Sequence, residues 1–410
     1  MHKKLKAIAL GLLLGLGGLC LVGTMVTRNL ATEGTYTYLK LFNEVLSLVR
    51  NSYVDEVETD RLLQGAYDGM LAELDPFSEY LTPQEYADYA ATQAKGAKAG
   101  GGPDAGLRLA KKEGIVLVVS VRSGSDAEAK GITPGDQIRR INGRFTREMS
   151  LHEIETRLAG PAGSSAAVSV ARREEPRKID TDLLFDEPRA EAVSLQPVDP
   201  KDGVAVLRIP HFRPGAAAEV ALALERAEKQ RARRLLIDLR GNAWGTIQEA
   251  ARSAGVFIGD TTVAKLKSKQ ETVEEIKGGR SSVAFSGTLG LLINGATAEA
   301  AELFTAAVHD AKNAPVFGET SFGVGAQQEL IPLRNGGYLK LSVRQYVSPG
   351  GSPWHGSGLK PDKTVAASFE IPKQSDRLKQ QLKQAIEQFR TYEPPATRAD
   401  RGTQRNAGGA

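Results

Sequence analysis

Apolar positions recur along this chain with two periods, and the switches between them mark its elements. Tyr38, Leu41, Phe42, Val45, Leu48 and Val49 fall on one side of a helix over residues 33–52, and Leu62, Leu63, Ala66, Met70 and Leu71 predict a second over 59–74. Alternation at Leu107 and Leu109 and the run Ile115–Val121 predict strands. Further on, Val204–Ile209 reads as a strand, Ala216–Gln230 as an amphipathic helix, and Arg234–Arg240 as a buried strand ending at Gly241-Asn242. Tyr338–Val343 alternates again. Over 374–391 Leu378, Leu382, Ala385, Ile386 and Phe389 form one helical stripe, which leaves open whether that helix docks on its own domain or pairs with another chain.

The most informative stretch is Thr288–Gln328. Leu289, Leu291, Leu292 and Ile293 form a buried strand that stops at Asn294-Gly295. A helix follows, with Ala300, Leu303, Phe304, Ala307 and Val308 at helical spacing. Thr297 is placed to cap it, and Glu299 and Glu302 lie in its first turn, where the helix dipole favours negative charge. A second strand, Pro315–Gly318, leads into the glycine-rich turn Phe322-Gly323-Val324-Gly325. Strand, helix, strand and glycine turn bring a helix N-terminus and a tight loop to the same end of a sheet.

Lys3, Lys4 and Lys6 precede the apolar run Ala7–Val26, which reads as a signal-anchor with no small-residue cleavage site after it. The lysines then stay in the cytoplasm, and the rest of the chain lies outside it, on the periplasmic side of the cell envelope. Cys20, the single cysteine, sits in that run and excludes an intrachain disulfide; it serves there as apolar filler or, in a poor lipobox, as a lipid acceptor. The 53 basic and 49 acidic side chains are mixed along the 410 residues, so the net charge of +4 does not call for a nucleic-acid partner. His152 and His211 have no ligand spacing, and no metal or cofactor is expected.

Several phrases carry a resemblance. Leu74-Asp75-Pro76-Phe77-Ser78-Glu79-Tyr80-Leu81, Leu236-Ile237-Asp238-Leu239-Arg240-Gly241-Asn242, the frame Asn294, Ala298, Ala300, Glu302, then Gly318-Glu319, Phe322-Gly323, Gly325, Gln328, and the closing Tyr346–Gly351 and Gly358–Asp362 are similar, in order, to motifs of the C-terminal processing peptidases. These are family S41 serine proteases that use lysine as general base. Thr133-Pro134-Gly135-Asp136 followed by Ile141-Asn142-Gly143 resembles a PDZ domain. The resemblance implies an α/β (α+β) peptidase core with a helical N-terminal region and an inserted β-rich PDZ domain. We divide the chain into an anchor (1–30), a helical part (31–94), a glycine-rich linker (95–105), a PDZ domain (106–175), a peptidase-like core (176–370), a C-terminal helix (371–393) and a disordered tail (394–410). It also implies protein or peptide C-termini as partners, their carboxylate held by backbone N–H groups of Ala105, Gly106, Leu107, Arg108 and Leu109, and allows a homo-oligomer or assembly with an active relative.

The chemistry departs from that pattern. The family's nucleophilic serine falls at Glu299 and its lysine at Val324, whereas the glutamine that orients the lysine is kept as Gln328. A serine hydroxyl reacts only when a base takes its proton, and lysine serves as that base only when desolvation lowers its pKa. In the oxyanion region, Trp244, Gly245 and Ala300, tryptophan replaces a glycine, and its indole is expected either to fill space needed by the substrate carbonyl or to serve as an ordinary core aromatic. Arg108 stands where the family has glycine, and Ala159 where it has an arginine implied to report peptide binding. The expectation is a pseudoprotease. An active serine-type enzyme would need a displaced nucleophile, Thr297 or Ser321.

Overall fold

The computed structural model describes residues 36–94, 102–172, 175–187, 191–197, 203–270, 273–279, 283, 285–368 and 374–393. The apolar run 7–26 and the tail 394–410 lie outside them, and among the described residues no helix is long and apolar enough to cross a membrane. The chain separates into a unit ending at Gly69 and a second from Met70 onward. The first contains the helix at 36–52, on which Tyr38, Leu41, Phe42, Val45 and Leu48 are exposed, and most of the helix Thr59–Ala72.

The second unit is built on three sheets. Its centre is the set Lys363–Thr364, Val316–Gly318, Thr288–Ile293, Arg234–Asp238 and Val204–Arg208, adjacent in that order and all parallel, with Ser194–Leu195 antiparallel at one edge. Alternation sorts the faces, because successive side chains of a strand point to opposite sides. Leu235, Ile237, Leu291 and Ile293 pack with residues of the helices Ala216–Lys229, Ile247–Ile258 and Ala300–Lys312, while Leu236 and Leu292 pack with Ala385 and Phe389 of the terminal helix Gln374–Arg390. The terminal stripe therefore docks on its own domain. Phe389, wholly buried, meets Phe317 edge-on, with ring centroids 5.6 Å apart.

A second, antiparallel sheet places Tyr338–Val347 between Glu79–Leu81 and Thr262–Ser268. Val273–Lys277 lies beyond Thr262–Ser268, and Ala326–Pro332 also pairs with Tyr338–Val347. Apolar periodicity did not reveal three of these strands, since Lys265, Lys267, Glu274, Glu275 and Glu329 interrupt them.

The third sheet is the small β-rich module. Leu107–Lys112 forms its edge, followed by Ile115–Val121, Gln137–Ile141, Ser165–Arg172 and Glu175–Leu184, with the helix Leu151–Arg157 beside the edge strand. The Thr-Pro-Gly-Asp turn has a physical role. Asp136, 1% exposed, accepts the Thr133 N–H at 2.8 Å and is gripped by Arg172 at 2.8 and 2.9 Å. The module is seated on the core through Ser120 Oγ, which donates to the Gly241 carbonyl at 2.8 Å. His152 N–H donates to Glu79 at 3.1 Å, and Ser150 donates to Glu85.

Candidate active site

The parallel strands end where Asn294 organises the turn. Its Oδ1 accepts the N–H of Gly241 at 3.0 Å and of Ala296 at 3.2 Å, tying two strand ends together. Thr297 is not the helix cap. Its hydroxyl donates to the Leu239 carbonyl at 2.9 Å and accepts the Asn294 N–H at 3.1 Å, so it is committed to the strand below, and the N-cap is Glu299. Glu299 has φ 54° and ψ −113°, a left-handed conformation that costs a non-glycine residue roughly 1–3 kcal/mol. Strained strand-to-helix turns of this kind raise a nucleophile above a sheet. Here the raised side chain is a carboxylate.

Glu302 holds this turn. Its buried carboxylate accepts the Glu299 N–H at 3.0 Å, the Gly323 N–H at 2.6 Å, the Val324 N–H at 2.8 Å and the Ser321 hydroxyl. Burial pushes its pKa up to about 7 even against these four donors. Ser321 is committed as well, since its oxygen also accepts the Leu359 N–H at 2.7 Å. In the sequence Glu302 reads as a first-turn acid and as part of the motif frame, with no bonding role. Its separation from residues 321–324 hid the other partners.

Glu299, Val324 and Gln328 come together, as their motif positions require, on a cavity of about 260 Å³ that Arg108, Lys340 and Ser342 also line. Gln328 donates to the Phe77 carbonyl at 2.6 Å and so fixes the Asp75–Ser78 turn. Asp75 braces that turn from the other end, accepting the N–H groups of Phe77 at 2.8 Å and Ser78 at 2.7 Å. Burial opposes the charge of Asp75, but His355 and these donors outweigh it and hold its pKa below the usual carboxylate range. Among the described residues Lys340 is the one lysine lining the cavity, and sequence reasoning gave it no role. Its ammonium sits 2.9 Å from Glu79. Burial works against its charge, but Glu79 and Glu155 outweigh that and raise its pKa, the opposite of what a general base requires.

Arg108 comes from the edge strand of the small module. Its guanidinium pairs with Glu299, with Nε 3.1 Å from Oε1, and both side chains are just over a quarter exposed. The expected carboxylate loop is partly used up internally. Ala105 N–H donates to Leu158 at 2.9 Å, and Gly106 N–H to Oδ1 of Asp104, which is itself paired with Arg122 at 2.6 Å. Two of the five expected N–H groups are therefore not available to a peptide, and Leu107 and Leu109 stand with Arg108 on the strand itself. Ala159 bridges to Asp104.

Trp244 is not among the residues that line this cavity. It packs against the cluster of Ala110, Val119, Ala243 and Ala298, together with Phe77, Phe322 and Val324, and so joins the module to the core. Gly245, at φ 116°, passes so close to Phe212 that a Cβ would fall 2.3 Å from the Phe212 carbonyl oxygen. Ala300, the first residue of the helix, is buried beside Glu299.

Comparison with known proteins gives three family matches: Peptidase family S41 over residues 203–365, a PDZ domain over 103–183, and the Activating protease CtpB N-terminal domain over 23–84. The chain is similar to a probable CtpA-like serine protease of Staphylococcus aureus (strain N315), 30% identical over 333 residues, covering 80% of this chain and 64% of that protein. It thus spans just under two thirds of that relative's length. It is also similar to the carboxy-terminal processing protease CtpA of Bacillus subtilis (strain 168), 29% identical over 340 residues, covering 82% of this chain and 71% of the relative. In three dimensions it shares the fold of a photosystem II D1 C-terminal processing protease, with a TM-score of 0.65 at 23% identity, over 82% of this chain and 95% of that one. The parallel sheet belongs to an S41 peptidase domain with a PDZ domain seated on it, and the chain is homologous to the CtpA-like C-terminal processing proteases.

Proposed function

We propose that this S41 family member is a catalytically silent homologue that binds protein or peptide C-termini, or assembles with an active relative, on the outer side of a membrane in which residues 7–26 anchor it. The observation that carries this reading is the content of the strained turn. The side chain raised there is Glu299, and the glycine turn facing it carries Val324, so neither a hydroxyl nor an amine stands at the reacting positions. A carboxylate at that point also repels the oxyanion that such sites must stabilise. The displaced-nucleophile alternative gains no support. The Thr297 hydroxyl donates to Leu239, the Ser321 hydroxyl donates to Glu302, and Lys340 is held as an ammonium by Glu79.

The test is turnover. The purified full chain, incubated with unfolded protein and with peptides ending in apolar residues, is expected to give no cleavage products by mass spectrometry. Cleavage that disappears in Thr297→Ala or Ser321→Ala would overturn the reading in favour of a displaced nucleophile.

A further inference from the structure

Arg108 and Glu299 are 191 residues apart, each departs from the pattern the chain otherwise follows, and the two departures meet in one ion pair. Arg108 lies on Leu107–Lys112, the edge strand of the PDZ sheet, with the helix Leu151–Arg157 alongside. An extended peptide adds to such an edge as a further strand, and its terminal carboxylate needs a receptor. The usual receptor, a set of loop N–H groups, is depleted here, because Ala105 donates to Leu158 and Gly106 to Asp104. The group that remains by the edge with a carboxylate already on it is the Arg108 guanidinium, and Leu109, Leu151 and Glu155 beside it line the same cavity as Glu299.

We propose that Arg108 is the carboxylate receptor of the PDZ groove and that Glu299 is its internal occupant: the pair latches the module over the core, and a peptide with a free C-terminal carboxylate binds by taking Glu299's place. This deepens the peptide-binding reading above and rests on it. Exchange of one carboxylate for another keeps the guanidinium paired, whereas an amidated peptide would leave it unpaired on losing Glu299. Glu299, already partly exposed, can be hydrated once released. Trp244 packs against the apolar cluster of Ala110, Val119, Ala243 and Ala298, which joins the module to the core, so opening the latch loosens this packing and wets the indole.

The experiment titrates the full chain, in mild detergent, with a short probe peptide ending in leucine, as the free acid and as the amide. Wild type should prefer the acid. Glu299→Gln, which has no latch to open, should bind the acid about tenfold more tightly, and Arg108→Gln should lose the preference. Equal acid affinity in wild type and Glu299→Gln overturns the latch. An acid preference retained in Arg108→Gln returns recognition to the backbone loop, and absence of acid binding to Glu299→Gln rejects the site altogether. A second measurement does not depend on any ligand. The chain has two tryptophans, and Trp354 is 1% exposed, so a red shift of emission reports Trp244. Arg108→Glu should shift it to the red, and the exchange Arg108→Glu with Glu299→Arg should bring it back; no recovery in a folded exchange variant counts against the pair. Cleavage by wild type would sink the silent reading while leaving these affinities readable, so the two failures are distinguishable.

Discussion

Two carboxylates on one turn, three positions apart, have opposite relations to the fold. Glu302 points inward, is wholly buried, and joins the helix N-terminus to the glycine turn through four donors. Glu299 points into the cavity, is partly exposed, and reaches a different domain. The first preserves the frame of a peptidase site. The second stands, on the reading proposed above, where the nucleophile would belong. The contrast teaches that holding the turn and filling the cavity fall to different groups: Glu302, Asn294 and Thr297 make the hydrogen bonds at the strand ends and the helix start, while Glu299 makes its ion pair outward.

The largest expected effect breaks the frame. Glu302→Ala leaves the buried N–H of Gly323 and the part-buried N–H groups of Glu299 and Val324 without an acceptor, and we predict a stability loss of about 3 kcal/mol or more in urea denaturation. Glu299→Ala should cost far less, because Arg108 is partly exposed and keeps Glu155 and Asp104 as opposite charges nearby. Comparable losses from the two would mean that the turn is not held from below.

Titration sharpens the same contrast. Glu302 has a folded pKa of about 7, above its ordinary 4.5, so the folded state binds the proton more tightly than the unfolded state. Its contribution is complete below pH 4.5, falls as pH rises toward 7, and is flat beyond. A shift of this size corresponds to a change on the order of 3 kcal/mol across that window. Urea midpoints taken across the window should therefore slope less in Glu302→Gln than in wild type. An unchanged slope would assign the proton to another group.

What could be read from the sequence follows from the same physics. Parallel strands buried on both faces are continuous apolar runs, so Val204–Arg208, Arg234–Asp238 and Thr288–Ile293 were legible almost to the residue. The helix start was misplaced at Thr297 because cap preference describes an isolated helix, whereas the Leu239 carbonyl of a neighbouring strand claims that hydroxyl. The antiparallel strands Thr262–Ser268 and Val273–Lys277 are interrupted by Lys265, Lys267, Glu274 and Glu275 and present no continuous apolar run. Motif positions single out Glu299, Val324 and Gln328, which share one cavity in the structure, but not Lys340 on the same cavity, since nothing local distinguishes an inward lysine on a strand from a solvated one. The Arg108–Glu299 pair showed only as two unrelated departures.

The smallest effect isolates the strain itself. Glu299→Gly and Glu299→Ala remove the same carboxylate and break the same pair with Arg108, so the difference between them contains neither the latch nor the cavity. What differs is the backbone: at φ 54° and ψ −113° a Cβ is unfavourable, and glycine adopts the conformation freely. Glycine also loses more freedom on folding, which offsets part of that gain. We therefore expect Glu299→Gly to be the more stable of the two by roughly 1 kcal/mol in urea denaturation. If alanine proves equal or better, the turn relaxes once the carboxylate is gone, which would make the strained conformation a consequence of the pull from Arg108 rather than of the strand ends and Glu302 beneath it.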